Sequence, residues 1–166
     1  MTTRSIPRTI PELRRRTGAV NRRTTEGVIA SYIHHNGRLG VIVEVNCETV
    51  EGARAPELSA LARDLAEHIA AAAPMAVREN ELPRELVERR RRAFEDEVRA
   101  RGTDEDLVEH FVDVKMRAFV RSVVLLEQRS VREPDLTVGA LIDHVSASIG
   151  ETVQVRRFSR FHMGLA

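Results

Sequence analysis

The residues that could do chemistry are few and scattered. Histidines stand at positions 34, 35, 68, 110, 144 and 162. None has the His-Glu-x-x-His spacing that puts two imidazoles on one helix face around a zinc ion. Cys47 is the single cysteine, which excludes an internal disulfide and any multi-cysteine metal site. In a strand-like run it reads as a small core residue. There is no Gly-x-Ser-x-Gly elbow and no Gly-rich phosphate loop. The chain is therefore expected to carry out no covalent chemistry and to bind no nucleotide, metal or other cofactor itself. The run Arg89-Arg90-Arg91-Arg92 could hold phosphate. However, Glu85–Arg89, Glu88–Arg92 and Arg91–Glu95 are opposite charges at i,i+4, and they read as a self-paired, solvated face.

Composition narrows the class further. The chain has 166 residues, enough for one ordinary core. Its formal net charge is +1, so no global field favours nucleic acid or a membrane. Lys115 is the only lysine among 26 basic residues, a bias to which we attach no function. No apolar run reaches the ~18 residues of a spanning helix, and the N-terminus lacks the apolar stretch of a secretory signal. A cytoplasmic protein without membrane contact is the simplest reading.

The elements that must position any site centre on residues 25–49, TEGVIASYIHHNGRLGVIVEVNCET. Two Val/Ile/Leu-rich runs flank Asn36-Gly37, the preferred filling of a two-residue type I′ turn. The expected register sets His34 against Leu39, Tyr32 against Val41, Ala30 against Val43 and Val28 against Val45. That face is almost wholly apolar and should be core. The opposite face carries Ile29, Ile33 and Ile42 beside Ser31, Gly40 and Glu44, half apolar and so expected to be covered by helices of the chain or by a partner.

A helix is expected from Pro56, with Leu58, Leu61, Leu65 and Ile69 as its apolar stripe, Arg63, Asp64, Glu67 and His68 off it, and Pro74 as its stop. Pro83 opens a second helix with Leu86, Phe94 and Val98, ended by Gly102. Thr103 should cap a third, with Leu107, Phe111 and Val114 on one face and a buried end running to about Leu126. Thr137 should cap a fourth, with Leu141, Ile142, Val145 and Ile149 inward and Gly150 at its end. A last strand covers residues 151–162; Phe158 and Phe161 lie an odd number apart, so a bulge or the strand's end should fall between them. The fold class is α+β: a three-stranded antiparallel sheet, hairpin plus C-terminal strand, with about four helices.

Residues 1–24 are basic, with Arg4, Arg8, Arg14, Arg15, Arg16, Arg22 and Arg23 against Glu12, and Pro7 and Pro11 interrupt an early helix. Three readings stay open: a partly disordered arm with a short helical turn, a nucleic-acid- or ribosome-binding arm, and a mitochondrial transit peptide.

EGVIASYIHHNGRLGVIVEVNCET resembles the signature stretch of bacterial elongation factor Ts, the exchange factor of the GTPase elongation factor Tu. The likeness continues in DLAEHIAAAAP (64–74), LLEQ (125–128) and IGETVQVRRFSRF (149–161), in order and over roughly 140 residues. It implies a core, or dimerisation, domain over 25–166, preceded by a remnant (IPELRRRTGAV, in the arm 1–24) of the family's N-terminal UBA-like domain. It implies binding to elongation factor Tu, promotion of GDP/GTP exchange in translation elongation, and, for a one-core member, a homodimer through the sheet. The family's wedge follows the hairpin with the pattern TDFVARN. Here that place holds Thr49-Val50-Glu51-Gly52-Ala53-Arg54-Ala55. Thr49, Ala53 and Arg54 match, while Val50 and Glu51 stand for the Asp-Phe pair. A Glu entering an apolar pocket costs several kcal/mol unless paired, and Gly52 is expected to loosen the loop. Tyr32 and His34 resemble a second partner-contact position. The implied partner-binding set is Tyr32, His34, Thr49, Val50, Glu51, Ala53 and Arg54. The departures at Val50 and Glu51 leave two further readings beside exchange: a non-exchanging scaffold of the same fold, and an RNA- or ribosome-associated protein using the basic arm.

Overall fold

The computed structural model describes residues 24–164; what the sequence suggests for the N-terminal arm lies outside them. The order is β1 (Glu26–Ile33), β2 (Leu39–Cys47), α1 (Val50–Ala53), α2 (Pro56–Ala72), α3 (Arg84–Ala100), α4 (Glu105–Val123), α5 (Val138–Ile149) and β3 (Gln154–His162), with short 3-10 turns at Glu79–Glu81 and Leu125–Glu127. The three strands form one antiparallel sheet in the order β1-β2-β3. The mixed α+β class stands as expected, with five helices among the described residues once the single turn α1 is counted.

The hairpin register agrees with the sequence pattern: Tyr32 opposes Val41, Ala30 opposes Val43 and Val28 opposes Val45. The turn itself differs. His34 N–H bonds Leu39 C=O at 2.8 Å, and Gly37 N–H bonds His34 C=O at 2.8 Å, so residues 35–38 form a four-residue connection. Only Gly37, at φ +66°, is left-handed, whereas a type I′ turn needs Asn36 there too. Asn36 instead accepts the Arg38 N–H on its Oδ1 at 3.0 Å. Two-residue and four-residue connections centred on the same bond give the same register, so the slip in turn type does not move the faces.

The inner face of the sheet packs on α2 and α5. Val41, Val43, Val45, Cys47 and Val155 are at most 1% exposed and join Leu58, Leu61, Leu65, Ile69 and Ile142 in the main core. Each such side chain contributes roughly 1.5–3 kcal/mol by leaving water. A bulge in β3 shifts the register between Glu44 and Val45, with Glu44 opposite Arg157 and Val45 opposite Val155. It falls before Phe158, not between Phe158 and Phe161 as the spacing suggested. Phe158 packs on the core and Phe161, beyond it on ordinary alternation, is 68% exposed.

Helices α3 and α4 pack on each other with a small core of their own, Val98, Val108 and Val112, flanked by Phe94 and Met116. Leu107, Phe111 and Val114 do share a face, but the solvent face. Asp104, not Thr103, occupies the N-cap of α4. Within the arginine run only Arg91–Glu95 forms of the three expected pairs, at 3.7 Å; Arg91 also reaches Asp113 at 2.9 Å, and Glu88 pairs with Arg84. Glu88, the expected partner of Arg92, is taken instead by Arg84 one turn before it on the same helix. Thr137 and Gly150 cap α5 as anticipated, Thr137 Oγ1 accepting Ala140 N–H at 3.1 Å.

His68 departs from its expected place off the stripe: it is 2% exposed. Its Nδ1 accepts the Val131 N–H at 3.3 Å, so its Nε2–H donates to Gln128 Oε1 at 2.9 Å. Gln128 Nε2 donates in turn to Ser122 C=O at 2.7 Å and Ala72 C=O at 3.4 Å. The chain after α4 folds back over α2, which the helical periodicity of α2 alone does not register, and burial holds the imidazole pKa below its ordinary value.

Candidate functional site

The stretch after the hairpin is a structured turn, and this corrects the expectation of a loosened loop. Thr49 is the N-cap of α1, and its Oγ1 accepts the Gly52 N–H at 3.1 Å. Ala55 precedes Pro56 and is held extended, at φ −61° and ψ 128°, so α1 cannot run on into α2. A carboxylate 102 residues beyond Thr49 seats the turn. Glu151 Oε2 accepts the N–H of Glu48 at 3.0 Å and of Thr49 at 3.1 Å, and the Thr49 hydroxyl donates to its Oε1. Glu48 returns the contact by accepting the Thr152 N–H at 3.0 Å. The Thr49 hydroxyl bond, followed by the two backbone N–H groups, outweighs desolvation and holds the Glu151 carboxyl below its ordinary pKa. Gly52 is buried against this carboxylate: a Cβ there would lie 2.3 Å from Glu151 Oε2. Its role is close approach, not looseness.

The turn sorts the implied partner-binding residues by face. Ala53 packs into the main core. Val50 is 43% exposed, and Thr49, Glu51 and Arg54 are exposed beside it. Neither Glu51 nor Arg54 enters an ion pair among the described residues. Cys47 just before them is fully buried, its Sγ–H donating to Thr49 C=O at 3.3 Å; desolvation first, then the Glu151 charge, pushes its thiol pKa up. It is a core residue, as read.

Tyr32 and His34 do not join this cluster. They sit at the turn end of the hairpin, whereas α1 follows the opposite end, where Cys47 pairs with Glu26. The eight residues of β1 separate the two ends by roughly 25 Å at about 3.3 Å per residue. Tyr32 packs against the main core and its hydroxyl lies 2.9 Å from His34 Nδ1; the His34 ring stacks obliquely on His35, with centroids 4.1 Å apart. Only a partner with an extended contact surface could touch both clusters.

A third feature is the outer face of the sheet. Ile29 (72% exposed), Ile33 (66%), Ile42 (49%), Phe161 and Met163 stand there uncovered by any described helix. Of the two covers the sequence allowed, helices of the same chain do not supply one among the described residues. Two structural residues escaped the sequence reading. Glu151 was expected to open the last strand, but β3 begins at Gln154 and Glu151 lies in the bend before it, where its type alone gives no sign of a contact to the chain after β2. Arg160, half-buried on β3, donates from its Nε and Nη2 to Ala70 C=O in the last turn of α2 at 3.3 and 3.2 Å, a pairing of cation and helix C-terminus that only the fold creates.

Comparison with known proteins places this geometry. The family model "Elongation factor TS" matches residues 12–165. The chain is 43% identical to an elongation factor Ts of Geobacter sulfurreducens over 143 residues, which are 86% of this chain and 66% of the relative. It is 42% identical to one of Carboxydothermus hydrogenoformans over 84% of this chain and 64% of the relative. It is also 42% identical to one of Oleidesulfovibrio alaskensis over 87% and 73%. It spans just under two thirds of the length of the first of these, the Geobacter sulfurreducens protein. With the hairpin, the seated turn and the C-terminal strand all inside the matched region, the chain belongs to the elongation factor Ts family.

Proposed function

We propose that this chain is a translation elongation factor that binds elongation factor Tu in the cytoplasm and promotes its GDP/GTP exchange, acting as a homodimer through the outer face of the sheet. The core domain is taken as residues 25–166, with 1–24 as a basic arm. The observation that carries the reading is the seated α1 turn. It presents Val50, Glu51 and Arg54 at the place where the family resemblance puts its wedge.

Exchange of this kind requires no catalytic side chain. A protein that binds the nucleotide-free GTPase more tightly than the loaded one must, by linkage, weaken nucleotide binding by the same factor. What the fold has to supply is a projection that does not yield on contact. The hydrogen bonds around Glu151 support such stiffness, and the partly exposed Val50 offers an apolar contact. The outer sheet face supports the dimer, because a contiguous apolar patch on a soluble chain marks an interaction surface.

A second reading is favoured by one observation: Glu51 places an exposed carboxylate where the family pattern has an aromatic ring. Near bound phosphate that charge is repelled, and in an apolar pocket it is desolvated. A scaffold that binds the GTPase without releasing nucleotide follows from that. Release of a fluorescent GDP analogue from elongation factor Tu, titrated with this protein, separates the two. Accelerated release supports exchange. Binding of the nucleotide-free GTPase without acceleration supports the scaffold. Neither effect removes the GTPase from both.

A further inference from the structure

Two segments far apart in sequence are tied together by a single carboxylate. The chain leaving β2 contributes the N–H groups of Glu48 and Thr49 and the Thr49 hydroxyl, and all three donate to Glu151. The Thr49 hydroxyl also accepts the Gly52 N–H, so the carboxylate, the cap and the turn form one connected unit. Nothing in the sheet ladder requires this unit: β2 ends its pairing at Cys47, and β3 begins at Gln154. Gly52 leaves room for the carboxylate, which any larger side chain would displace. A helical turn of four residues is far shorter than the roughly 12–15 residues at which an isolated helix becomes even marginal in water. Its conformation therefore has to be imposed from outside.

We propose that Glu151 is a positioning residue for the partner surface: seated against Gly52, its carboxylate holds the Val50–Ala53 turn in one conformation, so that Val50 and Glu51 meet the GTPase already in place. The inference rests on the reading that this turn contacts the GTPase. The physical consequence is a population effect. A turn that occupies the competent conformation only a fraction of the time lowers apparent affinity by that fraction. The chemistry of the seat also predicts which replacement suffices. The amide of a glutamine retains one accepting oxygen for the Glu48 and Thr49 N–H groups, and its NH2 can donate to Thr49 Oγ1. An alanine leaves all three donors without a partner.

The test measures affinity for nucleotide-free elongation factor Tu for the full-length protein and for Glu151→Ala, Glu151→Gln, Gly52→Ala and the Glu151→Ala/Gly52→Ala pair. Amide hydrogen exchange of residues 49–54 is recorded in the free proteins. Glu151→Ala is expected to weaken binding by about tenfold or more and to speed exchange of those amides, with the rest of the sheet still protected. Glu151→Gln should stay within about threefold of the parent. Gly52→Ala should weaken binding in the parent but add little to Glu151→Ala, because the group it collides with is gone. Unchanged binding by Glu151→Ala, equal loss in the Gln and Ala variants, or full additivity with Gly52→Ala would each overturn the proposal. Should Glu151→Ala fail to fold, Glu151→Gln and Gly52→Ala still decide it. A parent protein that does not bind the GTPase removes the functional reading itself; the exchange data then still report whether Glu151 holds the turn.

Discussion

Replacing His68 with leucine isolates one buried network and gives it a pH signature. The side chain is 2% exposed and makes two hydrogen bonds, accepting from Val131 N–H and donating to Gln128 Oε1. Leucine has a similar volume but leaves the buried Gln128 oxygen and the Val131 N–H unpartnered. At about 1–3 kcal/mol for a stranded buried polar group, and less for the longer Val131 bond, His68→Leu should cost about 2–3 kcal/mol at about pH 8. The pH dependence follows from the direction of the shift. Burial depresses the folded-state pKa of His68 below the ordinary histidine value, and the hydrogen bond to Gln128 only partly offsets this. The contribution is fully present above the unfolded pKa, near 6.5, and is lost as the pH falls below it, where the unfolded chain binds a proton that the folded one excludes. The slope is at most about 1.4 kcal/mol per pH unit, so by about pH 5.5 the parent should have lost up to about 1.4 kcal/mol through this group. His68→Leu lacks that loss. The stability gap between the two proteins should therefore shrink from about 2–3 to about 1–2 kcal/mol between pH 8 and 5.5, read from urea midpoints at constant m-value. Arg132 lies close by, paired with Glu67 and Asp64; those carboxylates hold its guanidinium above its ordinary pKa, so Arg132 does not titrate in this range. A gap that is constant with pH would refute the assigned tautomer and the exclusion of the proton.

Three more outcomes follow from other parts of the molecule. Ile33→Asp, on the bare outer face of the sheet, should change chain stability by no more than about 0.5 kcal/mol yet abolish self-association in sedimentation velocity; a parent that is already monomeric at tens of micromolar would end the dimer reading. Ala73 ends α2 in the left-handed region at φ 47°, so Ala73→Gly should raise stability by about 0.5–1 kcal/mol, and a lower thermal midpoint would contradict the strain argument. Val50→Asp combined with Glu51→Phe should speed GDP release from elongation factor Tu by about tenfold or more, since burying an aromatic ring is worth about 1.5–3 kcal/mol and a carboxylate no longer has to be desolvated; unchanged release would show that this position does not enter the GTPase.

Much of the architecture was legible because it is local. The alternation of Val41, Val43 and Val45 can bury only one face of a strand, and an Asn-Gly pair between two such runs permits few registers. The stripe from Leu58 to Ile69, bounded by Pro56 and Pro74, needs no tertiary information. Nor does Thr137, which caps with a hydroxyl three residues from the amide it serves. These interactions are written within one turn or one strand pair.

What the tertiary structure decided is the set of contacts made across long separations. The state of the α1 turn depends on a carboxylate 102 residues away from Thr49, so a glycine that looks loosening in isolation turns out to be a packing requirement. His68 looked solvated on its own helix and is buried because Gln128 and Val131 return over it. The bulge in β3 moved Phe158 inward and left Phe161 outside. In the sequence the residues implied to bind a partner appear as one list. The fold separates them into a turn at one end of the hairpin and an aromatic–histidine pair at the other, because strand length sets that distance while side-chain identity does not.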